Sequence, residues 1–236
     1  MPQTTNTAPQ IWDISPPVYE GMPVFPGDTP YQQEWVATIG PGCPVNVASI
    51  TSTPHAGAHA DAPLHYAPDG ATIGHVDLAP YLGRCRVIHA INCGALIEWR
   101  HLEHAISNDL PERVLVRTYQ QMPQTQWDAA LAGYAADTVE RLAARGVRLI
   151  GIDTASIDPA DSKALPSHQT IRRHDMRVLE NLVLDAVPEG DYELIALPLK
   201  LVQADASPVR AVLRALPGAY NHLNSCTTNS IAVGAG

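Results

Sequence analysis

The sequence has little of what marks membrane, secreted or nucleic-acid-binding proteins. Its longest clean apolar stretches, such as residues 194–199, fall far short of the ~20 residues that a membrane span needs. Its 15 basic residues against 24 acidic ones give a net charge of -9, which argues against nucleic acid or an anionic membrane as a partner. The four cysteines show no CxxC spacing, so we expect reduced thiols in a cytoplasmic protein.

The chain length and composition predict one folded domain. A chain of 236 residues, of which 45% are hydrophobic, can bury a core without help from disulfides. Residues 1–10 have neither the basic region nor the apolar core of a signal peptide, and we expect them to form a flexible N-terminal tail. Residues 11–236 are then expected to form the single domain. The 21 prolines predict many fixed turns and few long helices.

Short β-branched segments and a few helical patterns alternate along the chain. Strands are predicted at residues 11–14, 45–51, 86–91, 114–117, 147–152 and 194–198. Helices are predicted at residues 135–145, 169–179 and 99–106, the first of them ending at Gly146. This alternation predicts an α/β or α+β domain.

Three histidines and an aspartate fall within residues 55–65, separated only by Ala, Gly, Pro and Leu. His55, His59, Asp61 and His65 share parity, so an extended chain would point all four to one side. Full extension would place His55 and His59 ~13 Å apart, which is too far for one ion with bonds of ~2.0–2.2 Å. The chain must therefore bend, and Gly57 permits the backbone angles that a bend needs.

The segment that carries these side chains is predicted to be a tight loop. Pro54, Gly57 and Pro63 argue against a helix, which would otherwise bring residues four apart together. Two neutral imidazoles and a carboxylate suit Zn2+, and also Mn2+ or Fe2+. The residues alone thus predict a metal site here and leave the ion open.

The string HAGAHADAPLH over residues 55–65 resembles the signature HxGxHxDxPxH of the cyclase-like metal-dependent hydrolases. The resemblance continues beyond it. Residues 11–17 (IWDISPP) and 23–30 (PVFPGDTP) resemble the opening of the bacterial kynurenine formamidases, and residues 151–154, 167–169, 179–182 and 196–200 resemble later blocks. Together these segments extend from residue 11 to about residue 215, which is nearly the whole chain.

The resemblance implies a single α/β catalytic domain with a mixed β-sheet of the swivelling β/β/α type, assembled as a homodimer. It implies two metal ions per subunit, commonly Zn2+ with Mn2+ as the alternative. By that pattern His55, His59 and Asp61 hold one ion, Asp61 bridges to a second ion held by His168 and Glu180, and His65 is the catalytic acid/base. Since His168 and Glu180 are twelve apart, a helix and a return could bring both to one point.

The implied activity is hydrolysis of N-formyl-L-kynurenine to L-kynurenine and formate, a step of tryptophan catabolism in the kynurenine pathway. Phe25 stands where these formamidases typically carry a tryptophan that lines the aryl pocket, so Phe25 is the expected substrate-binding residue. This difference leaves open a hydrolase of another cyclic or aryl amide, such as an isatin-like lactam. Two histidines and a carboxylate could also hold a single iron for oxygen chemistry, which would give His168 and Glu180 no role.

Asp153, at the end of a predicted strand, resembles a site-forming residue of the same family. Aspartates at strand ends are also common as caps of the following loop, and both interpretations stay open at this point.

Overall fold

The computed structural model of the protein describes residues 9–216. Residues 1–8 of the predicted tail and residues 217–236 of the predicted domain lie outside the described residues. At the inner end of the predicted tail, the carbonyl of Gln10 accepts a hydrogen bond from the Ala215 N–H at 3.0 Å. Gln10 is therefore attached to the fold. The prediction of a flexible tail now applies only to the residues before Gln10.

Strands predominate over helices in the described part of the chain. The strands are β1 (Ile11–Asp13), β2 (Gln32–Ala37), β3 (Val47–Thr51), β4 (His59–Asp61), β5 (Leu82–His89), β6 (Leu96–Ile97), β7 (Arg113–Arg117), β8 (Gly133–Tyr134), β9 (Leu149–Ile152), β10 (Arg177–Glu180), β11 (Gly190–Ile195), β12 (Ala206–Pro208) and β13 (Val212–Ala215). The α-helices are α1 (Pro63–Tyr66), α2 (Trp99–Leu102), α3 (Ala136–Ala143) and α4 (Pro166–Arg173), with 3-10 turns at Ile73–His75, Ala79–Tyr81 and Glu103–Ala105. Within residues 9–216, none of these helices is long and apolar enough to cross a membrane.

Nine strands form one curled mixed sheet in the order β1-β13-β11-β5-β7-β9-β10-β4-β12. The central pairs β5–β7, β7–β9 and β9–β10 are parallel, and the flanking pairs are antiparallel. The prediction of an α/β domain with a mixed sheet is confirmed.

The central strands are buried on both faces, because each sends alternate side chains into two hydrophobic cores. Val114 and Val116 pack with Leu142 of α3 on the helix-covered face. Leu115, between them, packs with Leu179 on the opposite face, where the sheet curls over itself. The two cores pack against the middle of the sheet, and the functional side chains lie at its β10–β4–β12 end.

Two predictions of local structure were wrong around the functional residues. The predicted helix over residues 169–179 begins earlier, at Pro166, and ends at Arg173. Asp175 then adopts a left-handed conformation with φ of 49°, and Arg177–Glu180 forms the buried strand β10 instead. The neighbouring strands β9 and β4 supply the pairing that overrides helical propensity in this short segment.

The predicted loop over residues 55–65 contains a strand and a helical turn. Residues 59–61 form β4, and α1 starts with Pro63 at a first-turn position, where a missing N–H costs nothing. The other helices are confirmed, with 135–145 found as α3 and 99–106 as α2 plus a 3-10 turn. The predicted strand 45–51 is found as β3, which among the strands of residues 9–216 pairs with β2 alone, in an exposed hairpin.

Candidate metal centre

The pairing of β4 with β10 places three functional side chains on one face of the sheet. His59 and Asp61 lie on either side of Ala60, which packs into the core on the opposite face. Glu180 pairs directly with His59, and its neighbour Leu179 again points into the core. The alternation of the two strands thus turns both carboxylates and the imidazole toward helix α4.

A tight turn before β4 adds His55 to this group. Gly57 has φ of 70°, and a Cβ built there would lie 2.9 Å from Val18 Cγ2, so both conformation and space require glycine. The Gly57 carbonyl accepts a hydrogen bond from His59 Nδ1 at 2.9 Å. The bend brings His55 Nδ1 to 3.1 Å from Asp61 Oδ1. The prediction that the chain bends at Gly57 is confirmed.

Helix α4 supplies His168, and Asp158 holds it in place. Leu165 at the N-cap offers no side-chain acceptor to the first turn of the helix. The buried carboxylate of Asp158 takes over, accepting hydrogen bonds from the backbone N–H of Ser167 at 2.9 Å and of His168 at 3.0 Å. It also accepts the Nδ1–H of His168 at 2.7 Å. His168 Nε2 is thereby turned toward Asp61 Oδ2, 3.4 Å away.

Several polar atoms at the centre are buried without a hydrogen-bond partner among the described residues. They are His59 Nε2, His168 Nε2 and both carboxylate oxygens of Asp61. His59 Nε2 is 3.3 Å from Glu180 Oε2 and 3.4 Å from Asp61 Oδ1, without hydrogen-bond geometry. Buried polar atoms are costly unless paired, and divalent metal ions bound among them would supply the missing partners. Imidazole nitrogens and carboxylate oxygens are a ligand set that fits such an ion.

The charge balance of the centre supports the same interpretation. Burial alone would lower the pKa of His59, but the carboxylates of Asp61 and Glu180 outweigh it and raise that pKa to about 10. The pKa of His168 also rises to about 10, because Asp158 and Asp61 outweigh burial. Burial pushes the pKa of Asp61 upward, but the surrounding imidazoles hold it well below its usual value. The buried carboxylates therefore require positive charge beside them, as protons or as metal ions.

The exposed rim of the centre carries His65 and a residue that the sequence did not predict. His65 lies on α1, and its Nδ1 is 3.2 Å from Asp205 Oδ2. The same oxygen is 3.1 Å from His55 Nε2. A cavity of about 570 Å³ opens over this rim, lined in part by His65, His168, Asp205 and Phe25. Asp205 lies 140 residues from His65 in the sequence, so no local pattern indicated that it belongs to the site.

The structure brings together the sequence-predicted residues His55, His59, Asp61, His168 and Glu180, with His65 at the rim. Phe25 lies on the cavity wall, with its ring centroid 5.0 Å from that of Trp127 in an edge-to-face arrangement.

Asp153 accepts hydrogen bonds from the Thr118 N–H and hydroxyl and from the Tyr119 N–H. These hydrogen bonds stabilise the loop after β7. Among the described residues, Asp153 contacts none of the imidazoles of the metal centre.

Comparison with known proteins identifies the family of the chain. The Cyclase family model matches residues 12–159. A kynurenine formamidase of Paracidovorax citrulli is 69% identical over 212 residues, which cover 89% of this chain and 98% of the relative. One from Delftia acidovorans is 72% identical over 207 residues, covering 88% of this chain and 98% of the relative. The chain belongs to the Cyclase family and, within it, to the kynurenine formamidases.

Two solved structures show the same fold. A predicted metal-dependent hydrolase from Bacillus stearothermophilus has a TM-score of 0.75 at 30% identity and covers 89% of this chain and all of its own. An isatin hydrolase from Ralstonia solanacearum also has a TM-score of 0.75, but at 22% identity, over 88% of this chain and 92% of its own. The second likeness concerns the fold alone.

Proposed function

We propose that this protein hydrolyses N-formyl-L-kynurenine to L-kynurenine and formate at a centre that holds two metal ions. The observation that carries the proposal is the division of Asp61: Oδ1 faces His55 and His59, whereas Oδ2 faces His168. A carboxylate with a separate set of imidazoles on each oxygen is suited to bridging two ions. The substrate follows from the kynurenine formamidases that resemble the whole described chain.

The residues assigned to the two ions are those predicted from the sequence. His55, His59 and Asp61 would hold the first ion, and Asp61, His168 and Glu180 the second. This set suits Zn2+, with Mn2+ as the alternative. Ions bound here would lower the pKa of a water molecule to about 7 and polarise the formyl oxygen.

In this proposal His65 moves the proton that the reaction requires. Hydrolysis of a formanilide needs a proton taken from the attacking water and one delivered to a poor aniline leaving group. Nδ1 of His65 faces Asp205, so its other nitrogen, Nε2, is left to exchange a proton with the substrate. The ring is partly exposed and lines the cavity, as this role requires.

The aryl ring of the substrate is assigned to the wall that carries Phe25. An edge-to-face pair with Trp127 fixes the Phe25 ring and supplies a second aromatic surface beside the cavity. Phe25 lacks the indole N–H donor of a tryptophan, so this wall offers stacking without a hydrogen bond.

The activity is tested with N-formyl-L-kynurenine, a simple formanilide and isatin as parallel substrates, combined with elemental analysis of the protein. We expect formylkynurenine to be the best substrate and close to two zinc or manganese ions per chain. Treatment with a chelator should abolish turnover, and added Zn2+ should restore it. Preferred turnover of isatin would contradict the substrate, and one iron per chain would support the oxygenase alternative.

We propose further that the chain forms a homodimer through the β2–β3 hairpin (residues 32–51). Among the described strands β2 pairs only with β3, and the hairpin exposes Trp35, Val36 and Ile50 to 60% or more. Such an apolar surface on a projecting hairpin is typical of protein–protein contacts. Trp35→Lys combined with Ile50→Lys should convert a dimer to a monomer in sedimentation velocity, whereas Leu96→Lys on β6 should not. A monomeric wild-type protein would contradict the assignment.

We propose a cytoplasmic location for the protein, on the basis of its cysteines. Cys43, Cys85 and Cys93 are free thiols, and Cys226 lies outside the described residues. Free thiols are usual where the environment is reducing. Activity should follow a cytoplasmic marker in cell fractionation, and release with the periplasmic fraction would contradict this location.

A further inference from the structure

The carboxylate of Asp205 lies between two imidazoles on the exposed side of the metal centre. Its Oδ2 is 3.1 Å from His55 Nε2 and 3.2 Å from His65 Nδ1. The two rings lie close to each other, with centroids 4.4 Å apart. One carboxylate oxygen is therefore positioned to accept a hydrogen bond from each ring.

The backbone holds Asp205 firmly in this place. Its carbonyl accepts a hydrogen bond from the Ala62 N–H at 2.8 Å, and the next residue, Ala206, pairs with Asp61 across β12 and β4. On its other side, the carbonyl of Ala204 accepts the Ile73 N–H at 3.0 Å. The ladder that positions Asp61 thus also positions Asp205, although the two lie far apart in the sequence.

A hydrogen bond to one imidazole nitrogen decides what the other nitrogen can do. When His55 donates Nε2–H to Asp205, its Nδ1 carries a lone pair and faces Asp61, where an ion would bind. When His65 donates Nδ1–H to the same oxygen, its Nε2 carries the lone pair needed to accept a proton. In the opposite tautomer, each ring would present an N–H where the reaction needs a lone pair.

We propose that Asp205 is a positioning residue that fixes the tautomer and orientation of both His55 and His65. The inference rests on the function proposed above, because it assigns Asp205 to the acid/base and to a ligand of that centre. It adds a link between them, since one oxygen serves the metal ligand and the proton-transferring ring.

A measurement on metal-free protein tests the inference without activity. In 15N NMR of the imidazoles at alkaline pH, His65 should be found as the Nδ1–H tautomer in the wild type and as a mixture in Asp205→Ala. The signal is assigned by its loss in His65→Ala. Asp69→Ala is the matched control, because Asp69 is an exposed carboxylate paired with Arg172 at 2.8 Å. An unchanged tautomer in Asp205→Ala would overturn the inference whatever the enzyme hydrolyses.

Kinetics and metal affinity give the second test. With saturating zinc, Asp205→Ala should lower kcat by roughly 10–100-fold with little change in KM, and it should weaken metal binding in a chelator competition by roughly the same factor. Asp205→Asn should recover part of both, because its amide oxygen can accept hydrogen bonds from the two rings but, being uncharged, accepts them more weakly than a carboxylate does. Combined with His65→Ala, the Asp205→Ala change should add little further loss of kcat.

Other outcomes separate the alternatives. Fully additive losses of kcat would show that Asp205 does not act through His65, and a rise in KM alone would show that it acts on the substrate. A third metal ion per chain that Asp205→Ala removes would make Asp205 a ligand and overturn its positioning role. Failure of the wild type to hydrolyse formylkynurenine would contradict the proposed function, whereas the tautomer measurement would still decide the role of Asp205.

Discussion

The metal centre has a buried half and an exposed half that are held in different ways. The buried half comprises His59, Asp61, His168 and Glu180, whose side chains are each at most 4% exposed. The exposed half comprises His55, His65 and Asp205, whose side chains are 14%, 34% and 41% exposed. The sheet ladder, the Gly57 carbonyl and the buried carboxylate of Asp158 hold the buried half, whereas the side chains of His55 and His65 in the exposed half both contact Asp205 Oδ2.

This difference separates two requirements of the same site. Ligands that concentrate charge must stay in place when no substrate is present, and a low-dielectric surrounding keeps their interactions strong. Groups that exchange protons with a substrate must be reachable from the cavity. The predictions that follow are arranged to show whether the two halves are as distinct as their burial indicates.

Replacing Asp61 should have the largest effect, because it joins both ions of the proposed centre. Asp61→Ala should lose metal and activity together, with turnover lowered at least ~10⁴-fold, since the activated water and the polarised formyl oxygen both depend on bound ions. Elemental analysis measures the metal content, and a formylkynurenine assay measures the turnover. A variant with two ions per chain and full turnover would remove Asp61 from its bridging role.

Replacing His65 tests whether this member of the exposed half transfers protons or binds metal. His65→Ala should keep its metal and lower turnover by roughly 10²–10⁴-fold, which is the usual contribution of a general acid/base. The loss should be milder for substrates with better leaving groups, because these need less protonation. Metal loss that excess Zn2+ repairs would instead make His65 a ligand.

Replacing Asp158 tests the support of the buried half. Asp158→Ala should weaken metal binding by roughly 10–100-fold through His168 and should destabilise the start of α4 by about 1 kcal/mol. Chelator competition and urea unfolding measure the two effects. The double variant with His168→Ala is the control, and an added loss of metal affinity there would show that Asp158 acts by another route.

Asp153 offers the most specific test, because it is a buried carboxylate without an imidazole partner among the described residues. Burial raises the pKa of Asp153 to about 6, although it accepts hydrogen bonds from Tyr119 and Thr118. A raised folded-state pKa stabilises the fold below the unfolded value of about 4, and this contribution is lost as pH rises through about 6. Between pH 4 and pH 7.5 the wild type should therefore lose up to about 3 kcal/mol of unfolding free energy relative to Asp153→Asn.

The comparison of wild type and variant at each pH cancels the contribution of the metal centre, which both proteins share. A constant difference across the range would mean that burial does not raise the pKa of Asp153. A constant difference would also mean that Asp153 and Asp61 do not differ in the way expected. In Asp61 the imidazoles lower a pKa that burial would raise, whereas in Asp153 burial raises it.

Only part of this site could be predicted from the spacing of neighbouring residues in the sequence. His55, His59, Asp61 and His65 lie within eleven residues, so their parity and the flexibility of Gly57 were sufficient to predict that they converge. His168 and Glu180 were predicted only through resemblance to a family, and the segment between them was assigned to one helix. Its division into α4 and β10 depends on pairing with β9 and β4, which no local pattern reveals.

The carboxylates of Asp158 and Asp205, which support the site, could not be predicted from the sequence for a related reason. Asp158 caps α4 from eight residues before its first turn, far from the N-cap position where such a residue is sought. Asp205, in the bend just before β12, reaches His65 from 140 residues away in the sequence. Both contacts exist only in the folded chain, so side-chain spacing cannot predict them.

The pairing of β4 between β10 and β12 also has a consequence for the order in which the site can form. An unfolded chain can bring His55, His59 and Asp61 together by closing a loop of a few residues, at little entropic cost. Glu180 and Asp205 join them only after more than a hundred intervening residues have been ordered, because their positions depend on strands that flank β4 on both sides. We therefore expect refolding to recover the local ligand turn early and the complete centre only with the last steps of sheet closure.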